Sequence, residues 1–206
     1  MTTAAHERVR RLEFDTTLHF IDKHLPPRSA LLQVGGEEGE YALHFVRRGH
    51  KVIVTDAAAC SEGVLLHPGE ATRLRVEHEW RIQGVLCLGP YHNLGARDLR
   101  RRCLLECRRV VQLHGIVALS YLTRARDAAS PTQHVTTPAA VQAEVLSCGF
   151  EIVEHLATDG DPSSLEALDG LAEADYPDYL SQHLQTCCTP SRRGTGTHGL
   201  VILKKV

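Results

Sequence analysis

The chain has 206 residues, with 23 Lys and Arg against 25 Asp and Glu and a formal net charge of −2. That balance implies no polyanion partner, and 5% aromatic residues give no stacking platform for bases, so nucleic acid is not an expected ligand. Seven cysteines without a CxxC pair, a polar start and no apolar run of spanning length point to a reducing, cytoplasmic setting with free thiols and no membrane partner. Apolar residues make up 43%, and the length suits one domain with a full core, 1–206.

In residues 7–25, Val9, Leu12, Leu18, Ile21 and Leu25 recur at helical spacing, with a weak point at Asp15-Thr16-Thr17. Pro26-Pro27 ends this N-terminal helical segment, 1–27. The run Ala30-Leu31-Leu32-Gln33-Val34, bounded by Pro27 and Gly35, reads as a buried strand. A glycine-bearing turn follows, Gly35-Gly36-Glu37-Glu38-Gly39. Tyr41, Ala42, Phe45 and Val46 then mark a helix that Gly49 stops. A second strand, Lys51 to Thr55, leads into Asp56. Strand, glycine turn, helix, strand and terminal acid form a βαβ unit of the nucleotide-binding kind. Its glycines let the backbone approach a ligand, and the helix start offers N–H groups. Asp56 is placed to accept hydrogen bonds from a ribose.

From Ala57 to Glu70, Gly63, Pro68 and Gly69 leave room for one helical turn or a loop, not a crossover helix. Leu74 and Val76 alternate with Arg73, Arg75 and Glu77, which suggests a short strand. Val85 to Leu88 is a buried strand ending at Gly89-Pro90. Asp98 to Val111 reads as a helix whose Arg100, Arg101, Arg102, Arg108 and Arg109 form a solvated face. After a turn at His114-Gly115 comes a strongly apolar strand, Ile116 to Tyr121. Residues 122–136 read as a loop, and Thr137-Pro138 opens a helix that ends at Cys148-Gly149. Phe150 to Leu156 and Gly199 to Lys205 are strands. Between them, 158–197 is an insertion with one helix over 176–186. The alternation predicts an α/β fold with a mostly parallel sheet, the last two strands pairing antiparallel at one edge.

With these elements placed, the chain resembles the class I S-adenosylmethionine-dependent methyltransferases, most closely small bacterial members that act on small molecules. The segments that carry the resemblance are VGGEEGEYALHFVRRGHKVIVTD, GVLCLGPYHNL, ECRRVVQLHGIVALSYLTR and the tail from Glu166. It implies a Rossmann-like methyltransferase fold with a closing insertion, 158–197. It further implies S-adenosylmethionine as cofactor, with Gly35, Gly36, Glu37 and Gly39 along its methionine part and Asp56 on the ribose hydroxyls. Gly89, Pro90 and Tyr91 would line the methyl-transfer position. Tyr121, Arg124 and His198 would face a small-molecule substrate. Methyl transfer needs alignment above all, and a base only when the acceptor loses a proton. His92 and His183 are the candidate bases.

The chain departs from the family pattern at three places. Gln33 stands where the family has an acid. Glu37 replaces the middle glycine, and Glu38 follows it. A carboxylate about 4 Å from the cofactor carboxylate costs roughly 1 kcal/mol in water and more in a dry site. A Glu there can instead attract the sulfonium or the ammonium. The crossover after the second strand is short, and only Glu77 or Glu79 offers an acid for the adenine amine. A second reading therefore stands beside the first: a methyltransferase-like protein without cofactor, acting as a cyclase, a lyase or a binding partner. No metal is expected. His183 and Cys187 share a helical face with His198 further on, but the resemblance accounts for them without an ion. Cys60, Cys87, Cys103, Cys107 and Cys148 sit among apolar residues and read as small core side chains. The sequence sets no oligomeric state, and a homodimer is compatible with it.

Overall fold

The computed structural model describes residues 3–35, 39–55, 62–76, 80–124, 133–160 and 162–206. Helix α1 (Thr3–His24) leads into β1 (Ala30–Val34), α2 (Glu40–Arg47) and β2 (Lys51–Thr55). Then come β3 (Val64–His67), the short pair β4 (Gly69–Glu70) and β5 (Arg73–Leu74), and β6 (Ile82–Cys87). The second half holds α3 (Pro90–Asn93), α4 (Arg97–Val110), β7 (Val111–Leu122), α5 (Pro138–Ser147) and β8 (Phe150–Ala157). It closes with α6 (Pro162–Asp169), α7 (Tyr176–Thr186) and β9 (His198–Lys205).

Among the described residues, seven strands form one sheet in the order β3-β2-β1-β6-β7-β9-β8. The pairs β3–β2, β2–β1, β1–β6 and β6–β7 are parallel, and β9 is antiparallel to β7 and β8. The period of two along each strand sorts side chains to two cores. Val117, Leu119, Val201 and Leu203 meet Cys103, Leu104 and Cys107 of α4 and Val141 and Val145 of α5. Ile116, Ala118, Leu200 and Ile202 meet Leu18, Phe20 and Ile21 of α1 and Ala42 and Phe45 of α2. Each fully buried Leu, Ile or Phe adds about 1.5–3 kcal/mol relative to exposure. Helices on both faces of a mostly parallel sheet are the predicted class.

Several boundaries differ from expectation. Helix α1 runs unbroken through Asp15-Thr16-Thr17, because Thr16 and Thr17 are buried rather than turned to water. The segment after β2 contributes a sheet strand: β3 pairs parallel with β2 from Val52↔Val64 to Thr55↔His67. The strand expected at Leu74 to Val76 is reduced to β5, which pairs only with β4 in a hairpin. Arg109 holds that hairpin, donating to the carbonyls of Leu74 at 2.6 Å and Val76 at 3.1 Å, while the Glu106 carboxylate accepts from Leu74 N–H at 2.8 Å. So Arg109 is not merely solvated. Arg100 is also buried and donates to the carbonyls of Leu94 and Gly95. His114-Gly115 is absorbed into β7 as an irregularity between the pairings at Ile82 and Gly84, with His114 at φ 64. Helix α6 adds an element to the closing insertion. Finally, β9 lies inside the sheet and β8 at its edge. His198 to Leu203 is buried at every position, the pattern of a strand covered on both faces.

Tyr121, a candidate substrate contact, is fully buried on β7 opposite Gly199 of β9, and its hydroxyl lies 2.8 Å from Nε2 of His155 on β8. The ring crosses over β9, and the missing side chain at Gly199 makes room, since a Cβ there would overlap the ring. Tyr121 thus packs the sheet between β7, β9 and β8. Burial, with Arg193 nearby, pulls the His155 pKa down to about 4. Gly199→Ala is expected to cost about 1–3 kcal/mol by overpacking, read as a lower urea midpoint, and adding Tyr121→Leu to recover part of it. The lowered His155 pKa makes the unfolded chain take up a proton before the folded one does. Stability is then fully present above about pH 6.5 and is lost as pH falls from there toward 4, by up to about 1.4 kcal/mol per pH unit. Urea midpoints across that range should show this slope, and His155→Gln should flatten it.

Candidate functional site

The parallel register places the ends of β1, β2, β3, β6, β7 and β8 on one edge of the sheet. Because β9 runs the other way, its first residue, His198, joins that edge opposite Leu122. The chain moves outward from β1 to β3 and then returns to β6 on the other side of β1. That reversal opens a crevice at the carboxyl ends of β1 and β6, where ligands of open α/β sheets bind.

Two glycine turns border this crevice. Gly35 follows β1 at φ +66, donates its N–H to the Thr55 carbonyl at 2.9 Å and packs on Pro90, whose Cγ would stand 3.0 Å from a Cβ. Gly39 precedes α2 at φ +65, and Gly89 precedes Pro90 at φ +147. At both, nothing among the described residues lies within 4 Å of where a Cβ would be. Both backbones thus take conformations that L side chains rarely adopt and face open space. Gln33 braces the first turn, its side-chain amide donating to the Gly35 carbonyl at 3.1 Å.

The far end of the edge carries acids and histidines. His198 is buried, and its Nδ1 lies 3.7 Å from a Glu13 oxygen of α1 and 3.8 Å from Asp159. The Asp159 carboxylate is itself buried and accepts from the N–H groups of Thr197 at 2.8 Å and His198 at 3.1 Å. These charge-assisted bonds fix the start of β9. The packing leaves no space for a side chain at Gly196, where a Cβ would overlap Asp159. The His92 and His198 rings stand edge to face at 6.3 Å, which links this cluster to the turn after β6. A cavity of about 210 Å³ opens beside it under α7, lined by Asp159, Gly160, Tyr179, His183, Arg192 and Thr195. Burial pushes the His183 imidazole below its ordinary pKa, which favours the neutral ring.

The edge gathers Gly35, Gly39, Gly89, Pro90, His92 and His198, while His183 lies at its β8 end. Arg124 follows β7 as an exposed residue. Gly36, Glu37 and Asp56, and with them Glu77 and Glu79, lie outside the described residues. Tyr91 is fully buried, and its hydroxyl donates to Glu144 on α5 at 2.7 Å, with Arg100 Nε 3.8 Å from the same carboxylate oxygen. Burial and Glu144 raise its pKa well above that of a free phenol. It anchors α3 to the core. Glu13 and Asp159 were missed by sequence reasoning. Asp159 carried a usable signal, an acid directly after a strand in Thr158-Asp159-Gly160. Glu13 carried none, since it stands on an ordinary charged helix.

No protein family matches the chain by sequence profile, and no curated protein matches it by sequence. Solved structures do match. The 1,6-didemethyltoxoflavin-N1-methyltransferase of Burkholderia thailandensis, solved with 1,6-didemethyltoxoflavin and S-adenosylhomocysteine, aligns with a TM-score of 0.63 at 14% identity, over 97% of this chain and 78% of that one. The (4+2) cyclase SpnF aligns with a TM-score of 0.64 at 13% identity, over 94% and 80%. An S-adenosylmethionine-dependent methyltransferase of Methanosarcina mazei aligns with a TM-score of 0.60 at 14% identity, over 91% and 97%. Together with the strand order and the antiparallel β9, these matches show that the chain has the fold of the class I S-adenosylmethionine-dependent methyltransferases.

Proposed function

We propose that the protein is an S-adenosylmethionine-dependent methyltransferase acting on a small molecule. The observation that carries this reading is the pair Gly39 and Gly89. Both hold backbone conformations that glycine adopts readily and other residues rarely do, and among the described residues nothing lies within 4 Å of a would-be Cβ at either. Such positions let a ligand approach the main chain closely, so the residues present fit the group. Gly35, Gly36, Glu37 and Gly39 then hold its methionine part, Asp56 its ribose, and Gly89 and Pro90 flank the methyl. The bound cofactor supplies an electrophilic methyl group, and the protein supplies alignment. His198, oriented by Glu13 and Asp159, and His92 face the acceptor side. An imidazole there is a group that can take a proton from the acceptor as it is methylated. His183 serves the acceptor from the adjoining cavity. The acceptor is a small molecule, and the setting is cytoplasmic biosynthesis.

A second reading is favoured by a specific feature, the carboxylates Glu37 and Glu38 in the glycine turn with only eight residues between Thr55 and Val64. There the protein uses the same crevice without the cofactor, as a cyclase, lyase or binding partner. Calorimetric titration separates the two. The transferase reading expects one equivalent of S-adenosylhomocysteine to bind, and Gly39→Val to weaken binding at least about tenfold, or 1.4 kcal/mol. A melting curve of the variant checks that it is folded. No heat at millimolar ligand, with none carried through purification, leaves the cofactor-free reading. Glu37→Gly then tests whether that side chain is what blocks binding.

A further inference from the structure

A second cluster lies below the crevice. Cys87 is the last residue of β6, two before Gly89. Cys103 and Cys107 stand one turn apart on α4 and share the face that packs on the sheet. All three are fully buried. The sulfurs of Cys87 and Cys103 are 3.7 Å apart, and all three sulfurs lie within 4.8 Å of one another. A point equidistant from them is roughly 2.1–2.6 Å from each, a range that brackets the zinc–thiolate distance of about 2.3 Å. No backbone movement is needed to reach that spacing. Helical i,i+4 spacing with a strand end opposite is a stable way to present three soft ligands to one point.

We propose that Cys87, Cys103 and Cys107 form a three-sulfur site for one thiophilic divalent cation of the zinc–cadmium class. Charge selects the divalent state. The surroundings are apolar, including Leu104 and Val85, and an unbalanced charge there is costly. All three thiols lose their protons to solvent and bind as thiolates, so the centre carries one negative charge, the smallest excess that three thiolates leave on a divalent ion. A monovalent ion with the same ligands would leave two. The bound ion ties α4 to the end of β6, directly under the Gly89–Pro90 turn. The site is independent of the methyltransferase reading.

Cadmium is the probe, with the full chain carrying Cys60→Ser and Cys188→Ser, which leaves Cys148 and Cys187, both buried, as the remaining thiols outside the cluster. The expected result is one Cd²⁺ per chain, about three protons released per ion, and a thiolate-to-metal ultraviolet band. The melting temperature should rise by about 5–10 °C at a hundredfold excess over Kd. Cys103→Ala and Cys107→Ala should each abolish stoichiometric uptake while melting near the parent without the ion. If these variants do not fold, X-ray absorption of the loaded parent decides: three sulfur neighbours support the site, and fewer overturn it. No uptake by the parent, or equal uptake by the alanine variants, also overturns the proposal and leaves the three thiols as core packing.

Discussion

The parallel pairing of β1 with β6 is the constraint on which the functional edge depends. It brings the turn after β1 against the turn after β6, and Gly35 meets Pro90 there with no space for a side chain. Two glycine turns that are 50 residues apart in sequence become the walls of one crevice. The Gly35 N–H reaches across to the Thr55 carbonyl, so the end of β2 is tied to the same point. A side chain at 35 would meet Pro90 at the limit of van der Waals contact and in a backbone conformation that favours glycine.

The other end of the edge is closed by elements that look unrelated in sequence. Leu12 of α1 packs with Leu168 of α6 and Tyr176 of α7, and the Tyr176 hydroxyl donates to Asp15 at 2.7 Å. This packing brings Glu13, one residue from Leu12, to His198 at the start of β9. Asp159, from the end of β8, completes the group because β8 and β9 are neighbours. Burying these charges away from water is tolerable because they are paired and hydrogen-bonded. The result is a buried histidine with two carboxylates near the same ring nitrogen, Nδ1, and its backbone N–H fixed by Asp159.

The sequence was most legible where periodicity and punctuation agreed. The unit from Ala30 to Thr55, the cap at Thr137-Pro138 and helix 176–186 all carried a period together with a stop or start signal. It was least legible where tertiary pairing decided. Val64 to His67 has two exposed leucines, Leu65 and Leu66, so it lacks the buried pattern of a strand although it pairs with β2. Tyr91 and Tyr121 follow strand ends or end strands, which suggested contact with a ligand. Their partners, Glu144 and His155, are 53 and 34 residues away in sequence, and no local pattern reveals them. Of the site, the glycine turns were readable because backbone conformation constrains residue type. The acid–histidine cluster was not, because it depends on how α1 lies over the sheet.

The short link from β2 to β3 sharpens the question of the ligand. The resemblance leads one to expect a helix and a strand to wall the crevice on this side. The chain places there the strand β3 beside β2 and then the hairpin of β4 and β5, which Arg109 and Glu106 clamp to α4. A cavity of about 460 Å³ lies between that hairpin and the end of β3, lined by Leu66, His67, Glu70, Arg73 and Arg75. The wall on this side is thus built by β3 and the hairpin, and its lining sets the arginines Arg73 and Arg75 beside one carboxylate, Glu70. Such a lining offers both donors and an acceptor, so it can meet ring nitrogens and an exocyclic amine alike. For the proposed transferase, the side of the crevice that this hairpin borders is where the lining differs from the pattern that the resemblance implies.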